Sequence, residues 1–236
     1  QSDRIAQSSA MVHANGAKVR EAMDHVVASV RDNSAILDGT RDSILSMEHV
    51  SNRMFNAVIS AGVSPADSAI VELAARVRDR FVTLAEDAIA DGRLTMEQLF
   101  DTDYVRVPGS NPERFRTSLC DWADANWRPL FDQIVAEHPE IKMSSAGDMN
   151  GFLPTHITDC SRAPTGDLEH DTAHCRNGRI LLDETDMAAK RSSAPFFMTV
   201  YRQEGDGINY LTVRNVYMPA IINGRRWGDV EVAYQL

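Results

Sequence analysis

The dipeptide Asn223-Gly224 most narrows what this chain can fold into. Both central residues of a type I′ hairpin turn need positive φ, and Asn-Gly meets that need at the least cost. Before it lies the run from Val213 to Ile222, largely apolar and β-branched. After it Val230, Val232 and Tyr234 alternate with Asp229, Glu231 and Gln235. A period of two marks a half-buried strand. The chain is therefore expected to close as antiparallel sheet, with whatever it recognises held against that sheet.

The opposite end keeps a different period. Residues 1–60 contain no proline. One heptad series runs Ile5, Val12, Val19, Val26, Met47 and Met54; a second runs Met23, Val30, Leu37, Ile44 and Val58. Asn33 and Thr40 interrupt the first series, and Ser51 the second. A seam of this length predicts a coiled coil, in which polar core positions fix register and oligomeric state. The competing reading is an amphipathic helix folded back on its own domain. The expected arrangement is a coiled-coil signalling helix over 1–62, pairing two copies, ahead of a domain over 63–236.

Within 63–139 the punctuation is helical. Gly62 stops the long helix; Ser64-Pro65 opens the next, whose face is Ile70, Leu73, Val77, Phe81, Leu84 and Ala88. Thr95-Met96-Glu97-Gln98 reads as a capping box. Asn111-Pro112 is expected to start a helix burying Phe115, Leu119, Trp122 and Trp127, kinked or split at Pro129. Over 140–236 the pattern turns extended. Runs at 141–147 and 151–157 flank Asp148-Met149-Asn150-Gly151, a second Asn-Gly hairpin signal. A polar crossing segment, 158–192, carries one helical stretch near Asp167–Cys175. Phe196–Arg202, a Gly205-Asp206-Gly207 turn, Ile208–Ile222 and the final strand complete a three-stranded meander. The expected fold is α+β, with five antiparallel strands split two-plus-three and flanked by helices, as in PAS and Cache sensors.

Composition excludes several functions. The 236 residues carry a formal net charge of −10, so no nucleic-acid partner is expected, since phosphate neutralisation needs a basic surface. No stretch approaches the roughly 20 apolar residues of a membrane span. Three cysteines without a CxxC pattern suggest a reduced, cytoplasmic setting. No nucleophile elbow, phosphate-binding glycine loop or patterned carboxylate pair is present, so neither catalysis nor a bound cofactor is expected. His170 and His174, four apart, could share a helix face with Cys160 or Cys175 nearby. A solvated helix with incidental histidines is the better reading, and a redox or metal sensor an alternative.

Four blocks carry a resemblance: DMNGFLPTH (148–156), CRNGRILLD (175–183), PFFMTVYR (195–202) and VRNVYMPAIINGRRWG (213–228). Together they resemble the C-terminal Cache/PAS-like sensory domain of soluble bacterial proteins related to methyl-accepting chemotaxis receptors. Phe152, Ile157, His174, Asn215 and Arg226 depart from that family's usual residues. The resemblance implies a cytoplasmic sensor of a small ligand that signals to chemotaxis-type proteins. Asp148, Thr155, His156, Arg179, Tyr201, Arg202 and Trp227 are expected to line or brace the pocket, between the sheet and the crossing segment. A ligand-independent dimerisation scaffold is the alternative.

Overall fold

The computed structural model describes residues 2–62, 64–204 and 210–235, and for some of these, including 201–204 and 210–212, the backbone alone. The chain divides into two compact units, residues 1–53 and 54–236. The described residues of the first unit, 2–53, are all helix, part of α1 (Ser2–Ser60). Its heptad residues Val19, Met23, Val26, Val30, Leu37, Ile44 and Met47 are 49–68% exposed in the single chain. Among the described residues of this unit, none covers these side chains.

The second unit begins with the last turns of α1 and continues with α2 (Pro65–Ala90) and a short α3 (Met96–Leu99). A small ribbon follows, β1 (Val105–Arg106) against β2 (Phe115–Arg116), then α4 (Cys120–Glu137). The main sheet contains β3 (Ile141–Asp148), β4 (Phe197–Glu204), β5 (Tyr210–Ile222) and β6 (Arg225–Tyr234), in spatial order β3-β6-β5-β4 with antiparallel neighbours. Between β3 and β4 the chain forms a 3₁₀ turn at Thr158–Cys160 and the helices α5 (Leu168–His174) and α6 (Glu184–Arg191). Asn223 and Gly224 join β5 to β6 with φ of 47° and 77°, the left-handed pair that a type I′ turn demands.

One face of the sheet builds the core. Met198, Val216, Met218, Ala220, Val230, Val232 and Tyr234 meet Leu73, Val77 and Phe81 of α2, and Trp127, Leu130 and Phe131 of α4, all buried. The Phe81 ring stacks on Trp127 at 3.9 Å between centroids, and Trp227 closes on both at 5.4 and 5.1 Å. Asp67, in the first turn of α2, ties helix to sheet: its carboxylate accepts from Ser64, Arg214 and Tyr234. Burial alone would raise its pKa, but the two hydroxyls and the guanidinium outweigh burial and hold it below the usual carboxylate range.

Three expectations are corrected. The main sheet has four strands rather than five. Residues 151–157 touch partners only at single points, Phe152 with Ile180 and His156 with Ser145. Pro154 has no N–H for a ladder, and Leu153 instead exchanges backbone hydrogen bonds with Gly178 and Arg179. Next, no helix starts at Asn111-Pro112: Phe115 lies in β2, and α4 begins at Cys120, then runs unbroken through Pro129. Finally, the crossing segment holds a second helix, α6, opened by a capping box between Asp183 and Asp186. The expected glycine turn at 205–207 lies outside the described residues.

Candidate functional site

The second face of the sheet is the unusual one. Side chains alternate along a strand, so the register sets their neighbours. One row across the sheet reads Met143, Ala233, Asn215, Thr199; the next reads Ser145, Glu231, Tyr217, Phe197. A third begins Gly147, Asp229, Pro219. Such alternation predicts a solvated face, yet Ser145, Thr199, Asn215, Tyr217 and Asp229 are each at most 5% exposed. Contacts from His156 and the crossing segment account for this. His156 bridges Ser145, Asp186 of α6 accepts from the Tyr217 hydroxyl at 2.9 Å, and Lys190 Nζ lies 3.3 Å from the Asp229 carboxylate.

The polar groups on this face are unevenly satisfied. Lys190 and Arg226 both serve Asp229, at 3.3 and 2.7 Å. Glu231 receives the Asn215 side-chain N–H at 3.2 Å, while Asn215 Oδ1 and Thr199 Oγ1 are buried without a partner. Burial, then the nearby Asp186 carboxylate, pushes the Glu231 pKa up to about 7. Asp186 is itself raised, by burial first and then by Asp183, against the opposing pull of its hydrogen bonds and Lys190. Buried polar groups are normally paired; Trp122 Nε1, Ser144 Oγ and Arg226 Nε are also unpartnered, but Thr199 and Asn215 are directly opposite each other on adjacent strands, which makes this spot a candidate for a ligand.

Beside them opens a cavity of about 770 Å³, where Met143, Val213 and Ala233 of the sheet face Cys160, Thr172, Ala173 and Arg176 of the crossing segment. The Arg176 guanidinium points at the Met143 sulfur, 3.4 Å away, and has no carboxylate partner among the described residues.

The sequence-predicted site residues scatter around this face. Asp148 ends β3 and organises the following turn, accepting from the backbone N–H groups of Asn150 and Phe152 and from the Tyr104 hydroxyl. Thr155 is buried and accepts from Arg128 Nε at 3.3 Å. Arg179, half-buried, donates to the Thr172 carbonyl at 3.2 Å. Trp227 belongs to the opposite face, donating to the Leu99 carbonyl at 2.9 Å from within the core. Tyr201 and Arg202 lie on β4 opposite Val213 and Thr212, and their side chains fall outside the described residues. Sequence reasoning missed Thr199, Asn215, Glu231, Asp186 and Lys190. The polar interruptions of β4 and β5 were the available signal.

His156 is 1% exposed, and its Nδ1 accepts from the Ile157 N–H. Burial first, then the Arg176 and Arg128 charges, drive its pKa down to about 3. Below the ordinary histidine value near 6.5, an unfolded chain binds this proton and the folded one resists it, so folding weakens as pH falls. His156→Asn, which keeps an acceptor near Nδ1, is expected to remove that term. Between pH 6.5 and 4.5 the wild type should lose about 2–3 kcal/mol relative to the variant, read from urea melts at each pH.

His170, Asp171 and Cys175 bring potential metal-ligating atoms within 4.8 Å of one another. The Asp171 carboxylate, however, closes a loop: it accepts from the Thr165 N–H and hydroxyl and from the Gly166 N–H. The Thr165 contact is the largest influence holding its pKa down. The histidine ring of His174 turns instead to the Asp159 carbonyl.

No family model matches the chain, and no curated protein matches it. Among solved structures it is similar to the sensor domain of E. coli DcuS, at 14% identity and a TM-score of 0.31, over 68% of this chain and 92% of that one. An extracellular ligand binding receptor from Desulfohalobium retbaense matches at 12% identity and a TM-score of 0.31, over 69% of this chain and 24% of that one. A sensory box/GGDEF family domain from Vibrio parahaemolyticus matches at 14% identity and a TM-score of 0.32, over 71% and 59%. Superpositions this loose carry no argument about the site.

Proposed function

We propose that the second unit is a sensory domain that binds a small molecule on the covered sheet face, and that α1 carries the bound state onward. The carrying observation is the pair of orphaned buried groups, Thr199 Oγ1 and Asn215 Oδ1, beside the cavity at Met143, Val213 and Ala233. A ligand that partners them recovers the cost of leaving them unpaired, about 1–3 kcal/mol each. The domain acts by binding, without catalysis.

The route onward starts on β4. This strand lies at the edge of the sheet, and an open edge leaves backbone groups unpaired. Asn56, near the end of α1, fills two of them: its Nδ2 donates to the Met198 carbonyl and its Oδ1 accepts the Met198 N–H, both at 2.7 Å. Phe55 and Ile59 pack into the same core, and Arg214 lies over the Phe55 ring at 5.5 Å. A ligand engaging Thr199 pulls on the strand residue next to the one that Asn56 holds. We read the exposed heptad seam as the surface on which a second copy pairs, as in a cytoplasmic chemoreceptor-like homodimer passing its state to chemotaxis-type partners. Among the described residues no helix is long and apolar enough to cross a membrane.

The test is a thermal-shift screen of the full chain with amino acids, organic acids, amines, nucleotides and purines. At least one class should raise Tm, and Thr199→Val should reduce the rise at the same ligand concentration. A flat response across the whole panel would favour the scaffold alternative. Asn56→Leu should cost about 1–2 kcal/mol of stability while leaving the ligand-induced shift in place. Loss of the shift in that variant would mean that Asn56 belongs to binding rather than to relay.

A further inference from the structure

The covered face holds an imbalance that bears on the kind of molecule it takes, granted the sensory reading above. Two cations serve one carboxylate: Lys190 Nζ sits 3.3 Å from Asp229 Oδ2, and Arg226 Nη2 sits 2.7 Å from Asp229 Oδ1, while Arg226 Nε is buried without a partner and Arg176 lies farther off, against Met143 in the cavity. Lys190 also reaches the Gly147 carbonyl at 3.4 Å, and Arg226 the carbonyls of Ala189 and Ser192. Glu231 and Asp186 are left without a paired cation among the described residues. Glu231 receives only the neutral Asn215 amide, and Asp186 the Tyr217 hydroxyl and the Asp183 backbone N–H.

The orphaned groups point the same way. Asn215 is 3% exposed, and its amide is anchored at Glu231 by Nδ2, which leaves Oδ1 as a free acceptor at the edge of the acidic pair. Thr199, 1% exposed and directly opposite Asn215 on β4, adds a hydroxyl oxygen with no partner. An ammonium group has three N–H donors and no acceptor, so it complements a carboxylate flanked by two free oxygens. At the Asn215–Glu231 end a ligand carboxylate would meet two acidic side chains and a lone amide acceptor, and like charges at close range are costly when half-buried, whereas Arg176 stands at the other end, by Met143.

We propose that Glu231, Asn215 and Thr199 form a subsite for the protonated amine of a small organic ligand. Its carbon body lies over Ala233 and Met143, which share the Asn215 row and line the adjoining cavity. Lys190 and Arg226 are both engaged at Asp229, and among the described residues no cation forms an ion pair with Glu231, so the incoming ammonium would be its direct partner. The raised pKa of Glu231 is consistent with a carboxyl awaiting a cation, whose arrival would bring it back towards the ordinary range.

The experiment is calorimetry and thermal shift on the full chain with ethanolamine and putrescine, and with acetate and succinate, at matched pH and ionic strength. At least one amine should bind and raise Tm. Glu231→Gln, which retains the shape and an acceptor for Asn215, should weaken that binding at least tenfold without loss of fold. Thr199→Val should weaken it several-fold, and serves as the readout should the first variant not fold. If the acids bind and the amines do not, the amine subsite is overturned while the sensory reading stands. Amine binding that both variants leave unchanged also overturns the subsite. No response to these probes or to the wider panel overturns both.

Discussion

Gly228→Ala is expected to cost at least about 3 kcal/mol and to lower Tm by roughly 10 °C. Gly228 faces Asp148 across the β3–β6 ladder. A Cβ built there would stand 2.0 Å from the Gly147 carbonyl oxygen, 2.7 Å from Asp148 Cα and 2.9 Å from the Gly147 carbonyl carbon. All three obstacles are backbone, so no rotamer change relieves them. Either the last residues of β3 move away or the pairing breaks, and with it the turn that Asp148 organises. Gly224→Ala is the control: its φ is 77°, but a Cβ there meets nothing within 4 Å. That change should cost only about 1–2 kcal/mol, the penalty of a left-handed residue. Urea melts of both variants check the difference. Equal losses would mean that the close approach at 228 is not what holds the strands in register.

Trp227→Ala should cost about 3–5 kcal/mol, the range for removing a large aromatic from a packed core. The indole packs between Phe81 and Trp127 and donates to the Leu99 carbonyl, so its removal leaves both a cavity and an unpaired carbonyl. Trp227→Phe retains most of the ring contact and loses the hydrogen bond, so about 1–2 kcal/mol is expected. This residue also separates two roles. Because it faces the helices, Trp227→Phe should leave the affinity for any sheet-face ligand unchanged. A drop in affinity out of proportion to the lost stability would place the indole in the binding site.

The two halves of that hairpin show what sequence could and could not reveal. Asn223-Gly224 announced its turn because a positive φ at consecutive residues leaves few choices of side chain. The helix-facing set Val230, Val232 and Tyr234 followed from alternation. The same alternation misplaced Glu231, since a polar residue facing solvent and one beneath a crossing segment look identical in a period of two. What covers Glu231 is set by α6, and α6 was missed because eight polar-rich residues from Glu184 to Arg191 have no long apolar stripe. Its one local signal was the Asp183–Asp186 capping box. Trp227 was open between two roles. An aromatic beside NGRR fits lining the pocket or bracing the hairpin; Trp227 is the extra residue where the register shifts between Gly228 and Arg226, and its ring lies in the core. Extended residues at 151–157 read as a strand, and Pro154 with the backbone bonds to Gly178 and Arg179 diverted them.

The polar sheet face and the α1 clamp together make a compact device. Thr199 faces the proposed ligand, while Met198 immediately before it is held through both backbone groups by Asn56. Successive residues of one strand thus serve binding and relay, which needs no contact between the ligand and α1. A ligand can shift such a device only by binding one arrangement better than another.

Hydrogen exchange of the full chain with and without the compound giving the largest thermal shift tests this most directly. Protection is expected on β5 and β6 around Asn215 and Glu231, on β4 around Thr199, and on the cavity-lining crossing segment, with altered exchange in the last turns of α1. Protection confined to the α2–α4 side of the sheet, with β4 to β6 and the crossing segment unchanged, would contradict it.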